Sequence, residues 1–242
     1  MEKKLICAMP EILGYLNLVE AKIMQKKLAL PVIVAAVCVA TVFVFVMQGG
    51  GGSSSVVYRS EVKVDTDDGG VIVLTDLLPD LKAGFINGGN ELNIIGVMKA
   101  GNTTITSRAL YRFDISNWKK GNITFNMHCI KKEGNPGKLE VYCINDFGSL
   151  PKSPGEEPTD VSDLWNLIGT GVKVGSVSPS ENQWFKVVIK ESVIQDMKTS
   201  DGYLALLLKI SNEDAEPGNV YIISTYEYAV SHNENKPNLT WQ

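Results

Sequence analysis

Ile123 to Cys143 reads ITFNMHCIKKEGNPGKLEVYC, and its alternation sets the fold class. Ile123, Phe125, Met127 and Cys129 alternate with Thr124, Asn126 and His128, the period of two that gives a strand one apolar and one wet face. Glu133 to Gly137, EGNPG, is a turn cluster, after which Leu139, Val141 and Cys143 alternate with Glu140 and Tyr142. The stretch therefore predicts an antiparallel hairpin. Further strands are expected at Val56–Val64, Gly70–Leu74, Glu91–Met98, Arg108–Ile115, Trp184–Ile189, Tyr203–Ile210, Val220–Tyr226 and Asn238–Trp241, with a short helix only at Glu191–Met197. Many short strands with turns between them imply an all-β, antiparallel β-sandwich whose sheets bury apolar faces against each other.

Outside this domain the chain changes character. Leu28 to Met47, LALPVIVAAVCVATVFVFVM, holds no charge and is long enough, at about 20 residues, to cross a bilayer as a helix. Lys22, Lys26 and Lys27 precede it and the next charge is Arg59, so the positive-inside rule leaves residues 1–27 as a cytoplasmic tail and sends the rest outside. A secretion signal starting at Met24 is the alternative, and it puts the domain outside as well. Residues 48–55 include the flexible spacer GGGGSSS, so the outer domain is expected over 56–242, in a cell membrane or released to the cell surface.

Charge and motifs narrow the function. Beyond Lys27 there are 18 basic and 24 acidic residues, a net −6, which argues against nucleic acid as a partner. His128 and His232 sit in no nucleophile elbow, HExxH or CxxC setting, so no catalytic residue is named and no enzyme activity is expected. Asp65, Asp67 and Asp68 in DTDDGG form either a solvated turn or an oxygen-rich calcium loop. Cys129 and Cys143 share the apolar face of the expected hairpin and form either a disulfide or two buried free thiols; Cys7 and Cys38 fall in the tail and the apolar run. Asn102, Asn122 and Asn238 each begin a glycosylation sequon.

Arg108 to Ser116, RALYRFDIS, resembles the R-x-L-x-R-F-D-[LI]-S strand of the DNRLRE domain, the disaggregatase-related repeat. In the same order, Asn87–Leu92 is similar to its N-x-G-x-x-x-L block, Leu139–Tyr142 to its V-x-V-Y strand and Trp165 to its mid-domain Trp. Trp184–Val187, Gly202–Leu206, and Ser224–Glu227 with Lys236–Leu239 resemble its later blocks, although Lys186 and Val187 stand where the family often has an Asp. The resemblance covers roughly Asp76 to Gln242 and implies a jelly-roll-like module of the carbohydrate-binding kind, found on surface proteins of archaea and bacteria. It also implies a structural Ca²⁺ between an acid near the first strand and one near the last, here Asp80 and Glu227 with Asp76 as substitute.

Sugar binding by a sandwich rests on aromatic faces stacked on pyranose rings. Trp118, just after a strand, and Trp165, in the loop DVSDLWNL, are the expected ligand contacts, from a stock that also holds Tyr142, Trp184 and Tyr203. The expected function is a non-catalytic surface module for a polysaccharide or envelope glycan. The alternative is self-association into a filament or lattice, with SVVYRSEVKV adding to the sheet edge of a neighbouring copy.

Overall fold

The computed structural model describes residues 57–64, 67–74, 84–88, 92–100, 102–150 and 160–242. The tail, Leu28–Met47, the spacer, Asp65, Asp76 and Asp80 lie outside them. No helix among the described residues is long and apolar enough to cross a membrane. Val57 to Gln242 forms one compact unit, beginning one residue from the expected boundary.

Twelve antiparallel strands make a single unclosed sheet among the described residues, an arrangement consistent with a β-sandwich. One layer is built on β6 (Ile123–Glu133). Along one edge β6 pairs β9 (Gln183–Ile189); along the other it pairs first β12 (Asn238–Trp241) and then β11 (Asn219–Ser224). β1 (Tyr58–Glu61) pairs β12 of its own domain, in register from Tyr58 opposite Trp241 to Glu61 opposite Asn238. The second layer is built on β5 (Thr103–Asp114), flanked by β2 (Asp68–Leu74) and β10 (Tyr203–Ile210), then β7 (Leu139–Ile144) and β8 (Val172–Val177). β3 (Gly84–Gly88) extends β2.

The expected hairpin is overturned. β6 pairs with β9, β11 and β12, and β7 with β10 and β8, so EGNPG carries the chain from one layer to the other. Gly134 and Gly137 both take positive φ and Pro136 has no N–H to give a ladder, so the segment arches out of the sheet plane. Tyr221 Oη donates to Gly137 O (2.6 Å) and Asn135 N donates to the Asn219 side chain (2.6 Å), pinning the arch to β11. The apolar alternation holds all the same: Phe125 and Met127 from β6 meet Val141 and Cys143 from β7 in one core, but across the interior. Phe125 packs edge-on to Phe113 of β5 at 6.0 Å between centroids, in the geometry aromatic quadrupoles favour.

β4 (Leu92–Ala100) joins the layers. Its first half pairs β11 and its second half pairs β5, with the change at Gly96, whose φ is +135°. A Cβ at Gly96 would lie 2.3 Å from Asn219 O, so only glycine permits the close crossing. β10 is covered on both sides. Leu204, Leu206, Leu208 and Ile210 face the main core, while Ala205 and Leu207 join Val71, Leu110, Ile144 and Trp165 in a second cluster. This accounts for its unbroken apolar run LALLL.

Three short helices complete the chain: α1 (Ser162–Asn166), α2 (Glu191–Met197, at the expected place) and α3 (Tyr226–His232), with a 3₁₀ turn at Leu167–Thr170. α3 replaces what reads in sequence as the end of a strand. Thr225 Oγ1 accepts from Tyr228 N (3.2 Å), and Asp68 of β2 accepts from Tyr226 N (2.8 Å), so two oxygen acceptors start the helix. Asn233, in the left-handed conformation, ends it, with Glu234 N donating back to Ala229 O (2.9 Å).

Candidate functional site

On β9, Phe185, Val187 and Ile189 point inward, and Trp184, Lys186 and Val188 point out. Trp184 is directly opposite His128 of β6, and their rings lie 5.5 Å apart and within 8° of parallel. The Trp184 side of the pair is open, with the residue 39% exposed, whereas His128 is buried beneath it. The turn that ends α3 brings Glu234 Oε2 to 3.2 Å from His128 Nδ1. His128 thus occupies the outer sheet face, as alternation predicts, but as a buried support and not as a solvated side chain.

These side chains edge a cleft of about 620 Å³ lined by His128, Asn182, Trp184, Asn233, Glu234 and Asn235. Asn182 and Asn233 are the two non-glycine residues with positive φ among the described residues, and both line it. Left-handed backbone is disfavoured for most L-residues but tolerated by Asn. The cleft therefore combines a flat aromatic face, three primary amides and a carboxylate. That set is suited to a ring with an apolar face and polar edges.

The two tryptophans expected to contact ligand are both buried. Trp118 is 7% exposed, sits in the main core and donates from Nε1 to Gly121 O (3.0 Å). Trp165 is 8% exposed, and its ring is covered by the Arg108 guanidinium at 3.6 Å. Trp184 was legible in the alternation of QWFKVVI, which puts it on the same face as Lys186 and Val188.

Arg108 and Arg112, two residues of the RALYRFDIS strand, project from the outer face of β5 and act as staples. Arg108 donates from Nε and a terminal nitrogen to both Glu213 oxygens (2.7 and 2.8 Å) and from the other to Trp165 O (2.7 Å). Arg112 binds Asp146 in the same two-pronged way (2.7 and 3.0 Å) and lies 3.4 Å over the Tyr203 ring. Asp114 pairs with Lys63 and accepts from Ser116 N (2.9 Å), which together hold its pKa down at about 2.

The expected acidic loop divides. Asp67 turns to Arg112 (3.7 Å), while Asp68 is fully buried at the start of α3. Asp68 and Glu227 lie near the Tyr111 hydroxyl, which donates to Ser224 O (3.0 Å) and accepts from Asn93 (3.1 Å). Burial, then the Asp68 charge, lifts the Tyr111 pKa well above the ordinary tyrosine value; the Asn93 bond opposes this and Glu227 adds to it. No group of three His, Cys, Asp or Glu side chains arranged to hold a metal occurs among the described residues.

Cys129 and Cys143 are free and fully buried. They sit on strands of opposite layers, and packed sheets stand about 10 Å apart, beyond the roughly 7 Å Cα separation a disulfide spans. Burial raises their thiols to about 11 and about 12, respectively. Among the sequons, Asn102 and Asn122 are exposed, Asn122 also accepting from Glu191 N (3.0 Å). Asn238 is 5% exposed, its amide donating to Lys236 O (2.8 Å) and its oxygen accepting from Asn126 (3.0 Å), so the folded domain offers no room for a glycan there.

Fold and site together define a β-sheet domain with an aromatic, amide-rich cleft on the outer face of one layer. No protein-family model matches the chain, and no curated protein matches it.

Proposed function

We propose that the domain is a non-catalytic, jelly-roll-like carbohydrate-binding module of the DNRLRE kind, held outside a cell membrane by Leu28–Met47. Trp184 takes the platform role in place of Trp118 and Trp165. The observation that carries this reading is the Trp184–His128 pair, whose open ring face stands beside Asn182, Asn233, Glu234 and Asn235. Pyranose rings stack on such faces while amides and carboxylates bond their hydroxyls. The partner is a polysaccharide such as an envelope glycan.

Affinity electrophoresis of the full-length protein in detergent through gels containing polysaccharides tests it. A central tryptophan contributes about 2 kcal/mol or more to binding, so Trp184→Ala is expected to weaken retardation roughly thirtyfold, with Trp184→Phe intermediate. Retardation unchanged by Trp184→Ala overturns the assignment.

Asp68 and Glu227 carry buried carboxylate oxygens, hard donors of the kind Ca²⁺ takes, and Asp68 here replaces the Asp80 that the family resemblance implies as the partner of Glu227. We propose that they hold a structural Ca²⁺ that ties β2 to α3. At Ca²⁺ a hundredfold above the dissociation constant the folded state gains about 2.7 kcal/mol, or roughly 5–10 °C in Tm for a domain of this size. Melting followed by tryptophan fluorescence in Ca²⁺ and in EDTA should show that rise, and Asp68→Asn should remove it. Equal Tm values in the two buffers would dispose of the calcium site.

A further inference from the structure

We infer that the cleft selects uncharged glycans and that Glu234 is the residue that rejects acidic ones. The inference rests on the carbohydrate-binding reading above and deepens it. Of the six lining residues, Glu234 alone carries a fixed charge and none is Lys or Arg. Its side chain is 38% exposed, so the carboxylate faces both His128 and whatever occupies the cleft. A uronate or sulfate group on a sugar stacked over Trp184 would meet this carboxylate with no Lys or Arg in the lining to offset it, and the one imidazole there, His128, already faces Glu234. Like charges brought that close repel, and they do so more strongly at the effective dielectric of a protein surface than in bulk water.

A neutral pyranose meets the opposite situation. Its hydroxyls donate to the carboxylate, a charge-assisted bond stronger than a neutral one, and both donate to and accept from the Asn182, Asn233 and Asn235 amides. Lys186 is exposed on the same strand face but outside the lining, two residues from Trp184. The acidic balance of the chain beyond Lys27, −6, adds a general repulsion of polyanions.

Dextran and dextran sulfate share one backbone and differ in charge, so they make a matched pair of probes, extended with mannan and polygalacturonate. Full-length protein in detergent is expected to bind the neutral members at least tenfold more tightly. Glu234→Lys is expected to reverse that order, and Glu234→Gln to abolish the discrimination; circular dichroism checks that both variants fold. Binding of the acidic members equal to or tighter than the neutral ones, and lost with Trp184→Ala, would overturn the selectivity while leaving the module a glycan binder. Acidic binding that survives Trp184→Ala would place it elsewhere on the surface and also overturn the role of Glu234. Absence of binding to all four would overturn the carbohydrate reading and this inference with it.

Discussion

Arg108→Ala is expected to cost the folded domain about 3–5 kcal/mol, because it breaks a buried ion pair from one side only. The Arg108 side chain is 7% exposed and holds Glu213 with two hydrogen bonds, the Trp165 carbonyl with a third and the Trp165 ring by stacking. Without it Glu213 keeps a half-buried carboxylate whose remaining cation is Lys209 (3.0 Å). Burial raises the Glu213 pKa, and the bonds and charge of Arg108, with those of Lys209, more than reverse that and leave it below the ordinary glutamate value. A lowered carboxylate stabilises the fold above its unfolded pKa, near 4.3, and that contribution fades as pH falls through the folded value. The deficit of Arg108→Ala should therefore be largest at neutral pH and shrink in acid. At about 2–4 °C per kcal/mol, Tm should drop by roughly 10 °C at pH 7, which the four tryptophans, all beyond residue 117, will report. A drop below 2 °C would mean that the staple contributes nothing net. Arg108→Lys keeps the charge but loses the fork and the stacking plane, so it should fall between.

Gly96→Ala should be more damaging still. The new Cβ would meet a backbone oxygen, Asn219 O, at 2.3 Å, and φ of +135° is a conformation that L-residues rarely adopt. Asn219 has little freedom to retreat: its side chain accepts from Asn135 N and donates to Glu216 O, and neighbouring Gly218 N donates to Val97 O (2.9 Å). Local strain of about 1–3 kcal/mol for the backbone alone, added to the clash, should leave little folded protein. Gly169→Ala is the matched control, since nothing lies within 4 Å of a Cβ there and its φ is ordinary. Comparable Tm values for the two variants would refute the corner role of Gly96.

Local chemistry was legible in the sequence and long-range pairing was not. The alternation in ITFNMHC and QWFKVVI correctly sorts inward from outward side chains, because a strand's two faces follow from its own residues. Which strand lies beside which depends on segments far apart, so β6 and β7 look like neighbours in sequence and stand in opposite layers. The same limit explains why the two tryptophans expected at the surface are buried. Trp165 follows a loop motif that suggests exposure, and the guanidinium covering it comes from 57 residues earlier. Conversely, the cleft joins Asn182 and Trp184 to Asn233, Glu234 and Asn235, and nothing local to SHNENKP announces that its turn ends over His128. Asp68 stands out in sequence only as one of the acids of DTDDGG, and its contact with α3 spans 158 residues.

The layer that carries the cleft also carries the start of the domain. β1, β12, β6 and β9 form one hydrogen-bonded succession, so a pull applied between Val57 and Trp184 travels through that layer by three ladders in series. The β12–β6 ladder has the fewest pairs, Asn238 with Asn126, Leu239 with Phe125 and Thr240 with Thr124, and is backed by Leu239 in the core. Mechanical load would thus be borne at that seam, while the arginine staples and the opposite layer stay out of the force path.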